Sequence, residues 1–133
     1  ADTVVLGGQA AVSDGVVAAL PRPRRVAGGD RAATAAAVAA QLWGRTVGAD
    51  GDAFVLSGGY RPDAWALALA AAPLAARSVA PLLLADVETL PTATHDYLDD
   101  LGYGDGRTGS GWVLGDRNAV SDAVAEHAAE LLQ

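Results

Sequence analysis

The sequence predicts an α/β domain whose sheet is largely parallel, and three observations carry that prediction. Short apolar runs alternate with stretches of helical periodicity along all 133 residues. Most of those runs are continuous rather than alternating, the pattern of strands covered on both faces. The string VLGGQAAVSDGV, which starts at residue 5, returns as VLGDRNAVSDAV at residue 113, 108 positions later. In both copies an apolar run meets Gly, a short polar loop and Ala-Val-Ser-Asp, so a strand–turn–helix unit stands at each end of the chain.

The elements follow in order. Thr3–Leu6 reads as a strand, and Ser13–Leu20 as a helix with Ser13 at its N-cap and Val12 and Val17 as a hydrophobic staple. A strand at Arg25–Ala27 leads to a helix over Asp30–Trp43, capped by Asp30 and stopped by Gly44, with Val38 and Leu42 on one face. After a strand at Ala53–Leu56, a helix opens near Pro62-Asp63. Proline suits its first turn and Asp63 complements its dipole, while Pro73 should kink or end it. A strand at Pro81–Ala85 precedes a helix over Pro91–Leu101, with Leu90, Thr94, Tyr97, Leu98 and Leu101 on one stripe and Gly102 as the stop. The chain closes with a strand at Trp112–Leu114 and a helix over Ser121–Leu132, where Ser121 repeats the position of Ser13.

Composition narrows the function classes. The chain is 51% hydrophobic but only 5% aromatic, and alanine makes up much of the difference. Its core must therefore be built from closely packed helices and small side chains. The net charge of −7 makes naked nucleic acid a poor partner, because phosphate binding needs a basic face. All nine cationic residues are Arg. With no Cys, disulfides, thiol catalysis and thiolate metal sites are excluded. The longest apolar run, Ala64–Ala76, is shorter than the ~20 residues of a membrane span and contains Pro73. The chain begins at Ala1, which points to a removed leader or an excised fragment.

Candidate motifs each have a structural alternative. Gly104-Asp-Gly106-Arg-Thr-Gly109 has the spacing of a dinucleotide fingerprint, but it follows a helix and precedes a strand, the reverse of what pyrophosphate binding requires. It reads as a connector. The loops at Gly7-Gly8 and Gly115-Asp116 stand between strand and helix, where backbone N–H groups cradle anions. A tight turn with glycine at positive φ is the favoured reading, since Asp116 replaces Gly8 in the second copy. His95 and His127 sit beside Asp96 and Glu126 on helices, with no metal-ligand spacing. Ser57 lacks the Gly-x-Ser-x-Gly elbow of a nucleophile. Ala49-Asp50-Gly51-Asp52 lacks the ligand series of a calcium loop. No catalytic residue, metal or cofactor is assigned.

The ordered set of motifs resembles the bacterial cell-wall-binding repeat 2 family, an extracellular module usually found in tandem. Arg25-Val-Ala-Gly-Gly-Asp-Arg-Ala-Ala-Thr-Ala35 is the first match, and Val55-Leu-Ser-Gly-Gly-Tyr-Arg-Pro-Asp-Ala64 the second. Ala72-Pro-Leu-Ala-Ala76, then Ala80-Pro-Leu-Leu-Leu84 and Leu90-Pro91, make the third, and the duplicated Val-Leu-Gly…Ala-Val-Ser-Asp unit the fourth. Ala32 and Arg61 stand where the family carries aromatics (Tyr60 is adjacent to the latter), Asp116 replaces a glycine, and the glycine loop before Trp112 is long.

The resemblance implies a three-layer α/β sandwich with a mainly parallel sheet, Toprim-like or Rossmann-like. It implies that residues 1–20 equal the end of a preceding repeat and that residues 24–133 form one complete repeat, packed together as a single domain. It further implies an extracellular, cell-surface module that binds anionic wall polymer without catalysis and packs with other copies of itself, commonly three around a pseudo-threefold axis. The family's polymer-recognition motif maps onto Leu82, Leu83 and Leu84, which by their own chemistry read as a buried central strand.

A chain of net charge −7 can hold an anion only through local arginines, since distant carboxylates are screened beyond ~8 Å. Arg25, Arg31, Arg61 and Arg117 fall at strand–helix junctions, and the guanidinium fork suits phosphate and carboxylate. Alternatively, Arg31 pairs with Asp30 or Asp63 and ties helix ends together. Two other readings stand beside the wall module: a self-assembling surface or filament subunit, and a small-molecule or nucleotide-binding domain using the Gly7 and Gly115 loops.

Overall fold

The computed structural model describes residues 1–43, 54–101 and 109–133. The helix stops at Gly44 and Gly102, the acidic segment 49–52 and the fingerprint glycines Gly104 and Gly106 lie outside them. Among the described residues five strands and five helices alternate: β1 Thr3–Leu6, α1 Asp14–Ala18, β2 Pro23–Val26, α2 Arg31–Leu42, β3 Phe54–Gly58, α3 Ala64–Arg77, β4 Leu82–Ala85, α4 Thr92–Asp99, β5 Gly111–Leu114 and α5 Asp122–Glu130. The fold is α/β and every strand pairing is parallel. The strands divide between two sheets, β1-β2 and β4-β3-β5.

β3 is the centre of the larger sheet, and all five of its residues are buried. Its side chains alternate between two cores, as the two-residue period of a strand dictates. Phe54 and Leu56 join Leu83, Ala85, Tyr97, Leu98, Val120, Val124 and Ala128 on the side of α2, α4 and α5. Val55 joins Ala71, Ala75 and Ala80 on the side of α3, with Leu74, Leu82 and Leu114 against them. Helices, sheet and helix thus form three layers. Leu82–Leu84 belong to β4, which flanks β3 rather than occupying the centre.

Double-sided coverage holds for β3 but not for the outer strands. Val4 and Leu6 of β1, and Trp112 and Val113 of β5, are exposed.

The helices show why alanine dominates the sequence. α2 buries Ala32, Ala36 and Ala39, not the Val38–Leu42 face, and leaves Leu42 47% exposed. A face of methyl groups lets the helix axis approach the sheet closely. α3 does the same with Ala64, Ala71 and Ala75, while Trp65 and Leu69 face outward. Pro73 does not end α3, which runs on to Arg77. Pro73 and Leu69, whose carbonyl loses its N–H partner there, are both on the exposed side, where solvent replaces the missing bond. The α4 stripe is as expected, with Thr94, Tyr97, Leu98 and Leu101 buried, and Thr94 Oγ1 donates to the Leu84 carbonyl at 2.8 Å.

α3 ends in a Schellman motif, in which Ala80 N donates to Ala75 O at 3.0 Å and Val79 N to Ala76 O at 3.4 Å. The left-handed position is filled by Val79, at φ 52°, a β-branched residue where glycine is preferred. Val79→Gly should therefore stabilise the fold by about 1 kcal/mol. Gly58→Ala should do the opposite by about 1–3 kcal/mol, since a Cβ there would lie 2.7 Å from the Ala119 carbonyl oxygen. Urea unfolding of the two variants, with Gly29→Ala as a neutral control in open space, checks both signs.

Candidate functional site

Parallel strands deliver their C-terminal ends to one edge of a sheet, and in open α/β folds that edge takes the ligand. Here the loops after β2, β3 and β5 carry Arg31, Tyr60, Arg61 and Arg117.

Asp30 fixes the start of α2, its Oδ1 accepting from Ala33 N at 2.7 Å. Gly28 is obligatory beside it, because a Cβ would sit 2.4 Å from the Ala33 backbone. Arg31, the first residue of the helix, sends Nη1 to the Gly59 carbonyl at 2.6 Å, and its guanidinium carbon lies 5.3 Å from the centre of the Tyr60 ring. Such stacking holds the planar cation in place without neutralising it. The Tyr60 hydroxyl donates to Asp30 Oδ2 at 3.5 Å. Partial burial first, and then the Asp30 charge, push the Tyr60 pKa above its ordinary value. Among the described residues Arg31 has no carboxylate partner, so the expected pairing with Asp30 or Asp63 does not form. It borders a cleft of about 460 Å³ whose walls include Gly7, Gly8, Gly28 and Gly29 and also Asp30, whose carboxylate is engaged with Ala33 N and the Tyr60 hydroxyl rather than with Arg31.

Arg61 is held differently. Its Nε donates to Asp63 Oδ1 at 3.3 Å and its Nη1 to the Asn118 carbonyl at 3.1 Å, joining the β3 and β5 loops. Asp63 stands at the N-cap position of α3 but makes no capping bond. Its backbone, at φ −98° and ψ 2°, is not in the extended conformation a side-chain cap uses, and its carboxylate turns to Arg61. Arg61, Asp63, Asp116 and Asn118 line a second cleft of about 390 Å³. Hydrogen bonds from the Asn118 side chain and then its backbone N–H hold the Asp116 carboxyl below the usual carboxylate range. This cleft sets one guanidinium against two carboxylates.

Two groups of expected site residues make their contacts within the fold. Arg25 is partly buried, donating from Nη1 to the Gly7 carbonyl at 2.6 Å and from Nη2 to the Val12 carbonyl at 2.8 Å and Asp14 Oδ1 at 3.0 Å. Those acceptors take three of the five N–H donors of its fork. Leu83 is fully buried and Leu82 and Leu84 are half-buried, so this strand offers its side chains to the two cores. Arg117, 83% exposed, pairs with Asp122 at 2.9 Å. Ser13, Asp30 and Ser121 each cap a helix through the side chain.

The remaining chemistry is sparse. Ser57 is fully buried and its Oγ–H points to the Gly58 carbonyl at 3.4 Å. The rings of His95 and His127 meet edge-on at 5.4 Å, a contact that sequence spacing could not signal because the two lie on different helices. Gly7 and Gly115 adopt φ of 109° and 126°, the tight-turn geometry. Among the described residues no cluster of three His, Asp or Glu is placed to hold a metal, and no helix is long and apolar enough to cross a membrane.

Comparison with known proteins adds the following. Residues 25–125 match the family described as cell wall binding domain 2. No curated protein matches the chain. Among solved structures the chain is similar to Cwp8 from Clostridium difficile, with a TM-score of 0.74 and 25% sequence identity over 97% of this chain. It spans 21% of the length of that protein.

Arg25 and Arg117 should separate cleanly on unfolding in urea. Arg25→Ala leaves three acceptors without a donor and should cost about 2–3 kcal/mol, whereas Arg117→Ala should stay within about 0.5 kcal/mol. A pH titration followed by NMR should find Asp116 ionising below the usual carboxylate range, and Asn118→Ala should return it upward. Because its folded pKa is depressed, the stabilisation linked to Asp116 is present above the unfolded-state pKa and is lost as pH falls through the folded one.

Proposed function

We propose a role from one premise: this chain belongs to the cell wall binding domain 2 family. It is a wall-binding module, and its similarity to Cwp8, a Clostridium difficile protein, fits that role. The finer reading is that it attaches its parent protein to the cell surface by gripping an anionic wall polymer, without catalysis. Arg31 is the observation that carries this reading. Its guanidinium is fixed by a carbonyl and an aromatic face, carries no carboxylate among the described residues, and borders a glycine-walled cleft at the C-terminal edge of the strands. Glycine walls let the polymer backbone approach main-chain N–H groups, and the planar fork binds phosphate or carboxylate in two places at once. Arg61 adds a second, partly compensated cation across Tyr60.

A guanidinium held as Arg31 is gives modest affinity by itself, so strength would come from repetition of the module.

Co-sedimentation with isolated cell walls, before and after chemical removal of their anionic polymers, tests the reading across a salt series. Binding should require the polymer and weaken as salt rises. Arg31→Ala should lower affinity about tenfold, and Arg31→Lys should restore it only in part, because a point charge replaces a fork. Binding that survives polymer removal undiminished would exclude this mechanism.

A further inference from the structure

Asp30 and Arg31 are consecutive, carry opposite charges and border the same cleft, yet no ion pair forms between them. Opposite charges so placed attract one another even in bulk water, so their separation needs a structural cause.

The carboxylate is occupied at both oxygens. Oδ1 accepts from Ala33 N at 2.7 Å, the bond that caps α2, and Oδ2 accepts from the Tyr60 hydroxyl at 3.5 Å. The guanidinium is occupied too. Its Nη1 donates to the Gly59 carbonyl at 2.6 Å, and its carbon lies 5.3 Å from the centre of the Tyr60 ring. One side chain thus meets both charges, the anion with its hydroxyl and the cation with its ring.

The backbone at the end of β3 puts Tyr60 there. Gly59 N donates to the Ala85 carbonyl at 2.8 Å, and the Gly59 carbonyl is the acceptor that Arg31 uses. A Cβ on Gly59 would lie 3.0 Å from the Leu84 side chain, so the chain turns tightly against β4 before Tyr60. Tyr60 itself is 38% exposed and stays at the surface rather than entering either core. Asp86, the other carboxylate that acts on the hydroxyl, turns Oδ1 to Val87 N at 2.7 Å and pairs with no cation among the described residues. Burial first, then the charge of Asp30, raises the Tyr60 pKa, with Arg31 opposing and Asp86 adding. The hydroxyl therefore remains protonated, and a donor, well above neutral pH.

We propose that Tyr60 is a positioning residue that keeps Asp30 and Arg31 apart, so that the Arg31 guanidinium stays available to an anion in the glycine-walled cleft. The second half of this statement rests on the reading of that cleft given above. A phenylalanine ring would stack on the cation equally well, but only the hydroxyl engages the carboxylate. Without it, Oδ2 of Asp30 loses its donor, while Arg31 has N–H groups with no acceptor among the described residues. Asp30 then closes on Arg31 and cancels the charge that the ring holds in place. Asp30→Asn removes that option and keeps the cap, since asparagine caps helices as well as aspartate does.

The first test involves no ligand. A double-mutant cycle of Asp30→Asn and Arg31→Ala, read by urea unfolding of the full chain, measures the coupling between the two side chains. Tyr60→Phe should raise that coupling by about a factor of three in the unfolding equilibrium constant, the size of an exposed ion pair. Unchanged coupling overturns the proposal. A pH titration of Tyr60 by NMR checks the contacts themselves: Asp30→Asn should lower its pKa and Arg31→Ala should raise it. A Tyr60 pKa that neither substitution moves overturns the proposal as well.

The second test is co-sedimentation with cell walls that retain their anionic polymers. Tyr60→Phe should weaken binding about threefold, and adding Asp30→Asn should rescue it. With Arg31→Ala weakening binding in parallel, a Tyr60→Phe loss that Asp30→Asn does not rescue, or no loss at all, overturns the proposal. If Arg31→Ala leaves binding unchanged, the anion-gripping reading fails by itself, and the coupling in urea still decides whether Tyr60 holds the two charges apart.

Discussion

A strand buried along its whole length imposes the rest of this architecture. β3 has no exposed residue, so every backbone N–H and C=O it carries needs a partner inside the protein. β4 and β5 supply those partners on its two sides. Both neighbours are parallel to it, and a parallel neighbour can be reached only by a crossover long enough to hold a helix. Those helices then cover the faces that β3 needs covered. At its end Gly58 packs against the Ala119 carbonyl, which is possible only without a side chain, and this seats the β5 loop beside the β3 loop. The same geometry that closes the core brings Arg61 within reach of Asn118 and Arg31 within reach of Gly59.

The elements were legible in the sequence because each carried a local signal. Ser13, Asp30 and Ser121 mark helix starts through short-range bonds to their own backbone, and apolar runs mark the strands. What escaped depends on approach distance or on partners remote in sequence. Val38 and Leu42 are the larger apolar residues of α2, yet the helix turns Ala32, Ala36 and Ala39 inward, because tight packing against β4 and α4 favours the smallest side chains. Pro73 reads as a kink or an end, but its cost depends on which side of the helix it occupies, and periodicity alone did not fix that side. The split into two sheets was equally hidden, since no composition rule says which parallel strands pair.

Within the candidate site the four arginines had the same sequence credentials, and the structure gives them different occupations. Arg25 meets two carbonyls and a carboxylate and is spent on joining β2 to the first strand–helix unit. Arg61 and Arg117 each face a carboxylate. Arg31 alone among these four is held by a carbonyl and a ring. The distinction is electrostatic: a carboxylate cancels the charge it positions, whereas a carbonyl dipole or an aromatic face positions it and leaves most of it available. Residue type and junction position could nominate all four but could not tell positioned cations from neutralised ones.

The acidity of the chain then becomes intelligible. A surface of net charge −7 discourages indiscriminate adsorption to polyanions. On the proposed reading, attraction to an anionic polymer is left to a guanidinium such as that of Arg31, which no described carboxylate pairs with although Asp30 lines the same cleft. Such a point makes a weak grip, and repetition of the module would raise affinity for a long, regularly charged polymer, since each further contact is made at high effective concentration once the first has formed. Arg25 and Arg31 begin from the same residue type, yet one is held inside the fold by two carbonyls and a carboxylate while the other keeps its charge available.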